Sequence, residues 1–146
     1  MATTKKILIA LDASERANVV LDEGLKLAAA LKAKVVLFRA IASLKDLPVP
    51  LPVPTAPLQL QMTTEGERDL KQLAARVPAG LLEAAVVEEG SAWRAICHAA
   101  SRLAVDVIVI GAYSQTGVER LLGSTAGRVA NHAPCSVLVV RTPAPS

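Results

Sequence analysis

An α/β fold built on a five-stranded, parallel, doubly wound sheet in the order 3-2-1-4-5 is what this sequence predicts. Three observations carry the expectation. Short apolar runs such as Val107 to Ile110 alternate with stretches whose apolar residues recur at helical spacing. The runs are continuous rather than alternating, as strands covered on both faces should be. The composition is 52% hydrophobic with only 2% aromatic residues. The core must then come from Ala, Val, Leu and Ile, which suits helices packed on a sheet.

The elements follow in order. Lys6 to Leu11 is the first strand. Ser14 is placed to cap the first helix, with Glu15 in its first turn and Ala17, Val20, Leu21, Gly24, Ala28 and Leu31 as its apolar face. Val35 to Ala40 is the second strand. The segment at about 46–57 has prolines at 48, 50, 52, 54 and 57. Prolines at alternate positions fix extended backbone and remove amide donors, so a proline-rich loop of polyproline character is expected. Pro54-x-x-Pro57 would also fit a PxxP reader, and a lid over a nearby pocket is an alternative role.

Thr64-x-x-Glu67 fits a capping box that opens the second helix, whose stripe is Leu70, Leu73, Ala74 and Val77. Leu81 to Val87 is the third strand, closed by Glu88-Glu89-Gly90. Ser91 caps the third helix, and Trp93, Ile96, Cys97, Ala100, Leu103 and Ala104 form its stripe. Asp106 to Ile110 is strand four, Ser124 to His132 helix four and Ser136 to Val140 strand five, before a frayed tail. Right-handed crossovers put the switch point between strands one and four, where Asp12 and Gly111 face each other across the crevice.

A chain of 146 residues is expected to form one domain over 1–146. Its net charge is +3, and its 16 basic residues are scattered rather than interleaved with aromatics, so nucleic acid is not an expected partner. The apolar run from Ile7 to Leu11 is too short for a signal-peptide core or a membrane span, so no membrane association is expected and the cytoplasm is the default location. Cys97 and Cys135 form no CxxC pair and read as small buried hydrophobes.

The stretch from Asp106 to Arg141 carries the chemistry. Gly111 stops a buried strand at the end where open α/β sheets place ligands. Gly117 and Gly123 punctuate the following loop, and Ser124-Thr125 stands at a helix start. Backbone amides aimed by a helix N-terminus suit phosphate. Ser124 and Thr125 are phosphate ligands, a plain N-cap, or both. Asp12 accepts a ribose hydroxyl or caps the turn that follows it. His98 and His132 have no metal-ligand spacing with Cys or carboxylates, and no nucleophile is evident, so catalysis is not indicated.

Strand one ending ALDASE, and the final third GAYSQTGVERLLGSTAGRVANHAPCSVLVVR, resemble the universal stress proteins of the UspA family across essentially the whole chain. The resemblance implies a Rossmann-like fold of the adenine nucleotide alpha hydrolase type. It also implies a cytoplasmic stress protein that binds an adenine nucleotide, ATP with or without Mg²⁺, as a regulatory or sensing ligand, with at most slow hydrolysis. Family members divide into ATP-binding and non-binding groups. Binders usually carry glycine, two residues, glycine, nine residues, then glycine with Ser or Thr. Gly111 matches the first glycine and Gly123 with Ser124 the last element, but Ser114 stands at the second glycine and eight residues separate it from Gly123. Serine supplies an amide and a hydroxyl but not glycine's freedom at positive φ.

By the resemblance, Asp12 lies near the ribose and the backbone at Ala40 near the adenine. Gly111, Ser114, Gly123, Ser124 and Thr125 surround the phosphates. Arg39 either reaches the pocket mouth or is solvated, and Tyr113 and Arg120 lie in the loop. The alternative is a non-binding stress protein that acts through dimerisation and protein contacts. The family's dimers often pair through the strand equivalent to Ser136 to Val140, which implies a homodimer here. A phospho-acceptor receiver domain shares the general topology, but no acidic pair accompanies Asp12.

Overall fold

Three apolar runs, buried on both faces, form the centre of the sheet. In the computed structural model, which describes residues 5–112 and 122–142, these are β1 (Lys6–Ala10), β2 (Lys34–Ile41) and β4 (Val107–Gly111). The edges are β3 (Leu82–Glu89) and β5 (Ser136–Val140), giving the order β3-β2-β1-β4-β5 with every pairing parallel. Ile7 lies opposite Val35 on one side and Val107 on the other. The expected fold class and strand order are therefore observed.

Among the described residues four helices cover the two faces: α1 (Ala17–Leu31) and α2 (Thr55–Ala74) on one, α3 (Ala92–Arg102) and α4 (Ser124–His132) on the other. Alternate strand residues feed two cores. Ile7, Ile9, Val35, Leu37 and Val109 meet Val20, Leu21 and Leu70, whereas Leu8, Phe38, Ile108 and Ile110 meet Ile96, Ala99 and Val129. The period-two geometry of strands makes this division, and burial on both faces explains the unbroken apolar runs. Helix α1 approaches β1 so closely that a Cβ at Gly24 would lie 2.5 Å from Ile9 Cδ1. Among the described residues no helix is long and apolar enough to cross a membrane.

Several local expectations need correction. The proline-rich segment is not loop throughout to 57. A single 3-10 turn occupies Leu44–Asp46, and α2 begins at Thr55, so Pro57 lies in its first turn. Proline is tolerated there because the amide it lacks would have no intrahelical acceptor. Thr64-x-x-Glu67 is consequently helix interior, not a capping box.

Ser14 does not cap α1. The N-cap is Arg16, with no side-chain capping bond and no acidic residue in the first turn, and Ser14 is engaged with Asp12 instead. Strand β3 runs on through Glu88 and Glu89 to Gly90, whose φ of +138° ends it. An edge strand tolerates such charges, and Glu88 pairs with Arg102. Ser91 occupies the N-cap of α3, but its side chain makes no capping bond. Gly111 is the last residue of β4, paired with Val140, rather than the point beyond it.

Candidate functional site

The carboxyl ends of β1, β2 and β4 and the first turns of α3 and α4 enclose a cavity of about 430 Å³. It lies at the switch point of the sheet, where neighbouring crossovers run to opposite faces and leave the strand ends uncovered. A volume in this range suits a small organic ligand.

Its polar end is made by α4. The N-cap is Gly123, so Ser124 and Thr125 are the first helical residues and neither acts as the N-cap. Intrahelical bonding begins with the Gly127 N–H on the Gly123 carbonyl at 2.9 Å. The amides of Ser124, Thr125 and Ala126 therefore have no acceptor within the helix. The N-cap Gly123 has no side chain to offer them, no acidic residue lies in the first turn, and all three residues line the cavity. Such a helix start attracts anions through its amides and its dipole. The Gly123 amide is already used, donating to the Ala112 carbonyl at 3.1 Å.

Asp12, just beyond β1, lines the same cavity. Its Oδ1 accepts the Ser14 amide at 2.9 Å and the Ser14 hydroxyl at 2.7 Å. This is an Asx-type turn, in which a carboxylate accepts from the backbone two residues on. The turn role and the place at the cavity coexist in one residue. Much of the remaining wall is apolar. Phe38, Ile96 and Ile110 contribute bulk, and Ala10, Ala40 and Ala92 leave room beside them.

Asp12, Ala40, Gly111, Gly123, Ser124 and Thr125 thus line one cavity. Ser114 lies outside the described residues, as do Tyr113, Gly117, Arg120 and the tail from 143. Arg39 is neither at the cavity nor solvated. It pairs with Asp69 of α2 at 3.1 Å, with its side chain 13% exposed. Phe38, Ile96 and Ala92 also line the cavity, beyond the residues expected there. Phe38 had a usable signal, since it stands two residues before Ala40 and shares its face of β2. Ile96 had none, because a stripe residue reads as core wherever it points.

Among the described residues no group of three His, Cys, Asp or Glu side chains could hold a metal ion. Cys97 and Cys135 are free and half-buried. Burial raises both thiols above their ordinary pKa, and for Cys135 the charge of Asp106 and then Cys97 add to it.

A sequence model of the Universal stress protein family matches residues 3–141. Universal stress protein A homolog 1 of Coxiella burnetii is 29% identical over 143 residues, covering 93% of this chain and 95% of that protein. Universal stress protein A homolog 2 of the same organism is 39% identical over 56 residues, and the match spans 38% of either chain. A universal stress protein solved in complex with cAMP superposes with a TM-score of 0.68 at 22% identity, covering 97% of this chain and all of that one.

Proposed function

From the premise that the chain belongs to the universal stress protein family, we propose that it binds an adenine nucleotide, ATP in the first instance, as a regulatory ligand in the cavity between β1 and β4. One observation carries the reading. Ser124, Thr125 and Ala126, whose amides have no acceptor within the helix, line one cavity together with Asp12. A nucleotide has the matching polarity, with phosphates at one end, ribose hydroxyls in the middle and a flat base.

In this reading the phosphates accept from the α4 amides, where charge-assisted hydrogen bonds contribute about 1.5–3 kcal/mol each. Asp12 accepts a ribose hydroxyl, held in orientation by Ser14. The base enters the apolar part beside Phe38, Ile96 and Ile110, with the backbone at Ala40 at its edge. Ser114 would supply its amide and hydroxyl to the phosphates. A solved protein of this fold holds cAMP, which supports adenine nucleotides as the ligand class to test. Mg²⁺, if it accompanies ATP, would be held by phosphates and water, since the described lining residues offer only the Asp12 carboxylate. Among the described lining residues Asp12 is the one candidate general base, and the ribose role occupies it.

Isothermal titration with ATP, with and without Mg²⁺, tests the reading. Saturable one-to-one binding supports it, and no heat at millimolar nucleotide refutes it. A second proposal rests on β5. This strand is a sheet edge, and its Leu138 is 39% exposed. Pairing with the same edge of a second copy would bury the strand and remove an aggregation-prone template.

A further inference from the structure

The outer faces of α3 and α4 carry a charge pattern that the nucleotide cavity does not use. Neither helix contains an Asp or Glu. The two helices pack together, and the chain's two histidines, His98 and His132, lie exposed on them beside exposed Arg94 and Arg128. At the centre is Trp93, the chain's one tryptophan. Its ring lies 4.7 Å from the His132 ring, and the Arg94 and Arg128 Cζ atoms lie 5.2 and 6.0 Å from its centroid.

Other arginines are spent on carboxylates: Arg39 on Asp69, Arg76 on Asp22 and Arg102 on Glu88. Among the described residues Arg94 and Arg128 have no such partner. A guanidinium resting on an indole gives up rotamer freedom before any ligand arrives, while its N–H edges still face outward. Trp and Arg are also the residue types that dominate the energetics of protein interfaces.

We propose that this α3–α4 face docks an acidic segment of a partner protein, with Arg94 and Arg128 donating to its carboxylates around Trp93. Charge complementarity selects the occupant, because no carboxylate on either helix opposes it. A nucleic acid is served less well. The aromatic surface on which a base would stack is flanked by the His132 ring and the guanidinium groups. The face adjoins the cavity, since Ala92 and Ser124 line it one residue and one turn before Trp93 and Arg128.

The test measures fluorescence anisotropy of a labelled Glu-Ala repeat peptide, with the intrinsic emission of Trp93 read against the unlabelled peptide. Saturable binding that changes Trp93 emission is expected. Arg94→Glu/Arg128→Glu should weaken it about tenfold or more. Arg94→Gln/Arg128→Gln should weaken it in the same direction, with circular dichroism showing both variants folded. Lys26→Glu/Lys71→Glu, on the opposite face of the sheet, should leave it unchanged. Four results would overturn the proposal: no binding, unchanged Trp93 emission at saturation, equal weakening by the lysine pair, or tighter binding of oligo-dT than of the peptide. Loss of self-association in the arginine variants without peptide binding would assign the face to a second copy instead.

Discussion

Ser14 gives both its donors to one oxygen: its amide and its hydroxyl reach Asp12 Oδ1 at 2.9 and 2.7 Å. The turn after β1 therefore orients the carboxylate at the rim of the cavity before any ligand enters. Replacing Asp12 by Ala should lower ATP affinity about tenfold, the loss expected for one hydrogen bond to a charged group. Ser14→Ala should give a smaller loss, because the carboxylate remains but swings. Titration of both variants with ATP and a dideoxy analogue checks this. The wild type should prefer ATP over the analogue, and Asp12→Ala should not.

A carboxylate introduced at the start of α4 should separate stability from binding. Ser124→Asp places a negative charge on the orphan amides, which stabilises a helix start by about 0.3–1 kcal/mol. The same charge competes with phosphate. The variant should melt no lower than the parent, yet lose ATP affinity by at least about tenfold. Thermal melts beside titrations give both readouts.

Gly24 is a packing requirement. The Cβ of Gly24→Ala would meet Ile9 Cδ1 at 2.5 Å and Cγ1 at 2.8 Å, and Ile9 is fully buried in the same core as Leu21. Overpacking of this kind costs about 1–3 kcal/mol. Denaturant unfolding should show a lower midpoint with an unchanged slope.

The thiols set an alkaline limit. Burial raises Cys97, while burial and then the Asp106 charge raise Cys135, so the native state holds these protons more tightly than the unfolded chain. Their contribution to stability is intact below the ordinary thiol pKa of 9.0 and is lost as pH rises through the raised native values. Stability should therefore fall above pH 9, and Cys97→Ala/Cys135→Ala should flatten that part of the decline. Urea unfolding at a series of pH values reads it.

Strand β5 should govern assembly. Leu138→Lys places a charge on the exposed edge and should turn a dimer into a monomer in sedimentation velocity, with unchanged circular dichroism. A wild-type monomer at every concentration would remove the dimer.

The central strands were legible because burial on both faces leaves an unbroken apolar run, as in Val107 to Ile110. The start of α2 was not, because five prolines conceal that the last, Pro57, sits where a helix tolerates it. Capping patterns misled in the same way at Ser14 and Thr64: the residue types are right, but tertiary context gave them other positions. At the cavity, glycines and a polar residue at strand ends could be read from the chain. The apolar lining at Ile96 could not, since burial in a core and burial against a ligand leave the same trace in a sequence.

The cavity's role is tested most directly by the backbone amide spectrum of isotopically labelled protein during an ATP titration. The largest shifts should fall on the amides of Ser124, Thr125 and Ala126, with Asp12 and Gly111 following along the same binding curve. Shifts confined to surfaces away from the cavity, or none at millimolar ATP, would contradict it.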